Sequence, residues 1–313
     1  MKILIGYDGS QSAVAALADL QRAGLPDEAE ALIVTVADTV LVPATPDYEF
    51  AGQALTSRRV TSGLVYAQRQ TERALKQAAE FANQASDQVR SYFPRWNVRT
   101  GILGGPVASA VIAKANEWGP DLIVVGSHGH SAVGRLILGS VSKKVVTDSV
   151  HSVRVARGDI ERDLSKPPKI VIGVDGSTEA EQAVRAVGTR VWPQGTEVRI
   201  VTVDDSVSSR RIRNILPTAA EMIVSSNEEA AQKVQRMAEW ATEELRVIGL
   251  DVLVVTEKGD PRRVLVDQAK AWDADSIFVG GRRFSSALER FQLGSVATAL
   301  VAYAHCSVEV TRN

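Results

Sequence analysis

The 313 residues are 45% apolar and 23% charged, which is the balance of a folded globular protein and excludes a disordered chain. That length exceeds one ordinary core, so two domains are expected. A net charge of −1 gives no reason to expect nucleic acid or an anionic membrane as a partner, and the single cysteine, Cys306, excludes an intramolecular disulfide and suits a reducing compartment.

The chain opens on Lys2–Tyr7, an apolar run of strand length that is too short for a signal-peptide core. No apolar run approaches a membrane span, so a soluble cytoplasmic protein is expected. Ser10 is placed to cap a helix running to about Arg22, which Gly24-Leu-Pro26 stops. Strand two is Ala31–Val36. Residues 38–57, with Pro43 and Pro46, read as an irregular loop. A helix over about Ser62–Phe93 follows, with Leu64, Ala67, Ala74, Ala78, Phe81 and Ala82 at helical spacing. Strand three is about Asn97–Ile102. Gly104-Gly-Pro106 then opens a helix to about Glu117, with proline in its first turn. Strand four is Leu122–Val125, Val141–Ser149 reads as a helix, and strand five is Ser152–Ala156.

The same order then repeats. Lys2-Ile-Leu-Ile-Gly-Tyr-Asp8-Gly-Ser10 returns as Lys169-Ile-Val-Ile-Gly-Val-Asp175-Gly-Ser177, 167 residues later. Leu138-Gly139-Ser140-Val141 returns as Leu293-Gly294-Ser295-Val296, 155 residues later, so the second copy is shorter in its middle. Its strands fall at Lys169–Val174, Glu197–Val203, Asp251–Thr256, Ser276–Val279 and Ser307–Thr311, with a long helix over Asn227–Val247. Strands alternating with helices imply an α/β protein of two similar doubly wound domains, each a mostly parallel five-stranded sheet flanked by helices. The domains are expected at 1–157 and 169–313, joined by a charged linker, 158–168, ending in Pro167-Pro168.

Between strand four and the next helix lies Gly126-Ser-His-Gly129-His-Ser-Ala-Val-Gly-Arg-Leu-Ile-Leu-Gly139-Ser140. Glycines at a strand end let a ligand approach bare N–H groups, and the start of a helix favours a phosphate. Ser140 is placed to cap that helix or to turn its hydroxyl to an anion. The plainer reading is a turn followed by a capped helix.

The spacing Gly126-x2-Gly129-x9-Gly139-Ser140 resembles the ATP-binding signature of the universal stress protein family, and the resemblance extends over nearly the whole chain. It implies an adenine-nucleotide α-hydrolase-like fold and a first-copy site of Asp8, Val36, Gly126, Gly129, Gly139, Ser140 and Val141. By that likeness Asp8 lines the site, the Val36 backbone meets the adenine, and the glycines and serine contact ribose and phosphates. The cofactor implied is ATP or AMP, with Mg²⁺ held indirectly by Asp8 through water. As a bare sequence feature, Asp8 also fits a turn residue in Asp-Gly-Ser.

The second copy keeps Asp175, Val203, Gly294 and Ser295 as a weaker site, but its first glycine is ambiguous. Alignment on Asp275 makes Gly280 the partner of Gly126, whereas counting back from Gly294 makes it Gly281. Arg283 or Phe284 then replaces the second glycine, crowding the backbone, although Arg282 and Arg283 also suit phosphate directly. His128 and His130 lack an obvious third metal ligand, so no metal site is assigned. No P-loop, nucleophile elbow or other catalytic constellation is visible, so the activity expected is at most a slow ATP hydrolysis.

Strand five alternates Val153 and Val155 against Arg154 and Ala156, and Val308 and Val310 oppose Glu309 and Thr311 in its counterpart. The family resemblance implies that the two copies pair antiparallel through these last strands, with Arg154 near Glu309. Opposite charges there favour copy one with copy two over like with like. The expected function is a tandem universal stress protein, a nucleotide-responsive stress regulator with one competent site and no catalytic residues. The alternatives are a scaffold without nucleotide, or a slow ATP-hydrolysing enzyme; a homodimer through other surfaces fits any of them.

Overall fold

A computed structural model describes residues 1–37, 57–128, 138–157, 163–204, 220–281 and 293–312. The expected loop after strand two, and Gly129, His130, Arg282, Arg283 and Phe284, lie outside the described residues. The first half comprises β1 (Lys2–Gly6), α1 (Gln11–Asp19), a 3₁₀ turn (Leu20–Arg22), β2 (Glu30–Ala37), α2 (Ser57–Tyr92), β3 (Asn97–Gly104), α3 (Val107–Trp118), β4 (Leu122–Gly126), α4 (Ser140–Asp148) and β5 (Ser152–Ala156). The second comprises β6 (Lys169–Val174), α5 (Thr178–Gly188), β7 (Glu197–Asp204), α6 (Ala220–Val247), β8 (Asp251–Lys258), α7 (Pro261–Trp272), β9 (Ser276–Gly280), α8 (Ser295–Tyr303) and β10 (Ser307–Thr311). No helix among the described residues is long and apolar enough to cross a membrane.

The two five-stranded sheets expected from the sequence are one sheet of ten strands, ordered β3-β2-β1-β4-β5-β10-β9-β6-β7-β8. Neighbours are parallel within each half. The halves join at the antiparallel pair β5–β10, where Arg154 stands opposite Glu309. The expected pairing of the last strands is therefore present.

Alternation along these strands sends unlike chemistry to the two faces. On one face Val153 and Val155 join Val308 and Val310 in an apolar core that runs through both halves. On the other face the core divides, one part around Ile3, Ile5 and Val124 and the other around Ile170, Ile172 and Phe278. Between these parts lies a buried network of charges. Arg154, 0% exposed, donates from Nε to Asp19 Oδ2 at 2.6 Å and from Nη1 to Glu309 Oε2 at 3.4 Å. Arg190 also donates to Glu309, and Ser307 Oγ donates to Asp19 Oδ1 at 2.7 Å. Burial alone would lower the Arg154 pKa, but Asp19 and Glu309 outweigh it and raise the pKa above the ordinary arginine value. A pair of solvated strand residues is thus excluded.

Further contacts tie one half to the other. Arg22 forms a bidentate pair with Asp275, both bonds at 2.8 Å, and donates to the carbonyls of Asp163 and Lys166. The described part of the linker keeps exposed side chains at 163–166, as expected, but its backbone is pinned by Arg22. Gly24, at φ +62°, lies where a Cβ would come 2.6 Å from the Trp192 ring of the other half, so no larger residue fits.

Candidate functional site

In each half the chain runs from the first strand outward to the third and then returns to the other side for the fourth. Strand order reverses between β1 and β4, and between β6 and β9. A crevice opens at the carboxyl ends of strands at such a point. Three segments stand at these ends in the first half: Asp8-Gly9-Ser10 after β1, Val36-Ala37 at the end of β2, and Ser127-His128 after β4.

Asp8 folds its own loop. Its Oδ1 accepts the Ser10 N–H at 2.9 Å, and Gly9 takes φ +78°, a conformation that favours glycine. Ser10 Oγ then accepts the Ala13 N–H at 3.2 Å, capping α1. The turn reading of Asp8 is correct, and it leaves the residue half-buried at the mouth of the crevice. Asp175 makes the same turn with the Ser177 N–H at 3.0 Å but is exposed. Val36, paired with Leu103, is half-buried, as is its counterpart Val203.

The register settles the ambiguity in the second copy. Gly126 pairs with Ala156, and Gly280 pairs with Thr311, the residue 155 positions after Ala156. Gly280, not Gly281, therefore stands in the place of Gly126. The second loop is longer by one residue, and Gly281 corresponds to Ser127. Gly281 belongs to the site only as the residue that follows β9, where its N–H donates to Thr311 O at 2.9 Å.

Why glycine stands at 126 differs from the expectation of close ligand approach. A Cβ there would lie 2.8 Å from the backbone carbon and oxygen of Ser12, in the first turn of α1. At Gly280 it would lie 2.3 Å from the same atoms of Glu179, in α5. These glycines let the first helix of each half close onto the central strand. Gly126→Ala is expected to lower stability by about 1–3 kcal/mol through overpacking, which a shift in urea midpoint would register.

Gly139 and Gly294 are not required by backbone conformation. Their φ values, −62° and −54°, are open to any residue. A Cβ on Gly294 would meet nothing within 4 Å. Each is the N-cap of its helix, and no side chain caps either helix start. Ser140 is the first helical residue and exposed, not the cap, because Lys143 N–H already bonds back to Gly139 O at 2.9 Å. Val141 follows it, half-buried; Ser295 is exposed like Ser140. Among the described residues no side chain therefore caps the first-turn N–H groups of α4 or α8, the groups an anion would use.

The loop root is fastened to α4. Gly139 N–H donates to Ser127 O at 2.8 Å, and Ser142 Oγ donates to Gly126 O at 2.6 Å. Ser12 Oγ donates to the His128 carbonyl, joining the loop after β4 to α1. Ser127 Oγ and His128 Nδ1 lie 2.7 Å apart, while His128 Nε2 has no hydrogen-bond partner among the described residues. Burial, with Arg157 adding to it, holds the His128 pKa below the ordinary imidazole value. No cluster of three or more potential metal ligands occurs among the described residues. Asp19, Arg22, Arg157, Arg190 and Arg312, which carry the contacts between halves, were not legible as site-supporting residues; the recurrence of arginine just after the fifth strand of each copy was the signal available.

Comparison with known proteins matches this repeated architecture to one family model, described as the universal stress protein family, over residues 1–157 and again over 167–312. The chain belongs to the universal stress protein family. It is a tandem member, with one family unit in each half. A universal stress protein of Mycolicibacterium smegmatis is 26% identical over 215 residues, 69% of either chain. One from Thermus aquaticus is 33% identical over 158 residues, covering 50% of this chain and 97% of that protein. At the level of fold, a universal stress protein crystal structure from Archaeoglobus fulgidus matches with a TM-score of 0.59 at 18% identity, covering 99% of this chain and 98% of that one.

Proposed function

We propose that this universal stress protein binds an adenine nucleotide, ATP or AMP, in its first half and acts as a nucleotide-responsive regulator of a stress response. Asp8, Val36, Gly126, Gly129, Gly139, Ser140 and Val141 form the site. The observation that carries this reading is the start of α4 at the switch point, where no described side chain caps the helix and where stands a glycine that its backbone angle does not require. The phosphates lie against the first-turn N–H groups of α4, where the helix dipole favours negative charge. Adenine sits beside the end of β2, within reach of the backbone at Val36. Mg²⁺ travels with the nucleotide, with Asp8 as its indirect carboxylate contact.

The second half shares the frame, with Asp175, Val203, Gly280, Gly294 and Ser295 in corresponding places, but not the glycine loop. It is the weaker site. The function assigned is binding, with a slow ATP hydrolysis as the alternative.

Protein purified without added ligand and then denatured is expected to release about one adenine nucleotide per chain, and none from a Gly129→Trp variant, which puts a bulky side chain in place of a glycine of the proposed site. Two per chain would show that the second loop does not close its site. None, with no calorimetric binding of ATP and Mg²⁺, would leave the scaffold reading.

A further inference from the structure

Each half ends its fifth strand with an arginine, Arg157 after β5 and Arg312 after β10. Both side chains cross to the other half. Arg157 donates from Nη1 to Ala304 O at 2.6 Å and from Nη2 to Val301 O at 2.8 Å and Ala302 O at 2.9 Å, the last carbonyls of α8. Arg312 donates from Nη2 to Val146 O at 2.5 Å, in the last turns of α4, and from Nη1 to His151 O at 3.2 Å. A helix leaves its final carbonyls without partners, and a cation is favourable at that end. So the far end of each phosphate-facing helix is closed by the other half's arginine.

The same arginines adjoin the loops at the switch points. Gly126 pairs with Ala156, which sets Ser127 and His128 beside Arg157. Gly281 lies against Arg312, whose Nε would be 3.1 Å from a Cβ placed there. Gly139 N–H is bonded to Ser127 O, the adjoining His128 feels the Arg157 charge, and Arg157 is bonded to the end of α8, so these neighbours link the start of α4 to the end of α8. Arg157 is only 8% exposed, so water does not stand in for these bonds. Backbone hydrogen bonds continue the path from each fifth strand into its neighbour. Arg157 N–H takes Ser307 Oγ at 2.9 Å, and Arg312 N–H takes Ser152 Oγ at 2.9 Å.

We propose that Arg157 makes the second half a reader of the first site: nucleotide held at the start of α4 steadies the carboxyl end of α8 in the other half. The inference rests on the nucleotide reading above. It assigns the half with the altered loop a role that needs no ligand of its own. A ligand that orders the loop root at Ser127 favours the state in which Arg157 is fixed, and the carbonyls it holds fray less.

The test is hydrogen exchange by mass spectrometry on the full chain, with and without ATP and Mg²⁺, at a saturation set by calorimetry in the same buffer. Amides of α8 near Val301–Ala304 are expected to exchange about 5-fold or more slowly when nucleotide is bound. Arg157→Gln should abolish that slowing while the nucleotide affinity and the protection of α4 remain. Arg157→Lys, which keeps the charge without the fork, should retain only part of it. Protection confined to the first half of the wild-type chain would overturn the inference without any variant, as would α8 protection that survives in a folded Arg157→Gln protein. Absence of calorimetric binding would instead overturn the nucleotide reading itself, and the coupling with it.

Discussion

Arg154→Met is expected to destabilise the protein by about 3–5 kcal/mol, the cost of breaking a buried ion network by removing one member. Methionine roughly fills the volume, so the loss is electrostatic. Among the described residues, Asp19 would keep Ser307 and Glu309 would keep Arg190. Chemical denaturation checks this: the urea midpoint should fall with little change in slope. The charge exchange Arg154→Glu with Glu309→Arg then distinguishes a pair from a network. Were Arg154 and Glu309 a simple pair, the double variant would recover most of the lost stability. Here it should not. Glutamate at 154 would face Asp19, and arginine at 309 would face Arg190, so each new charge meets its own sign. A double variant as stable as the wild type would show that Asp19 and Arg190 contribute little. The polarity of the network therefore belongs to the whole seam and favours the pairing of unlike halves. In a pairing of like halves, Arg154 would stand opposite Arg154 and Asp275 would lose Arg22.

The parts of this arrangement that were legible in the sequence are those with local or periodic signals. Alternation in Ser152–Ala156 and Ser307–Thr311 exposed which residues share a face, and the duplicated spacing made Arg154 and Glu309 equivalent. Their pairing was what the family resemblance implied. Asp19 and Arg190 gave no such sign. Each is a charged residue near a helix end, an ordinary surface position, and only burial against the seam gives it a role. Arg22 and Asp275 are 253 residues apart, and nothing near either names the other. The glycines divide in the same way. Their spacing was visible, but not that Gly126 answers to Ser12 while Gly294 has open space where a Cβ would stand. A one-residue difference in loop length left two alignments for the second copy, and only the strand register chose Gly280.

That register makes a gain of function the sharpest test of how the halves differ. Between Gly280 and Gly294 the frame repeats the first half: the same place in the sheet, the same uncapped helix start, the same Asp-Gly-Ser turn. Replacing residues 282–293 by His128–Leu138 would shorten the loop to the length of its counterpart and restore the missing glycine. Gly281 should be kept. A serine there, as in the first half, would place its Cβ 2.7 Å from Val310 Cγ1 and against Arg312. On the proposed reading, the grafted chain is expected to bind about two adenine nucleotides instead of about one, since no described side chain caps the second helix start. Calorimetric stoichiometry with ATP and Mg²⁺ measures it, and Gly129→Trp in the grafted chain should leave the new site alone. A stoichiometry still near one would place the defect in the frame, where exposed Asp175 differs most from half-buried Asp8. Recovery to two would make the loop after β9 the element whose change turned a binding half into a reading half.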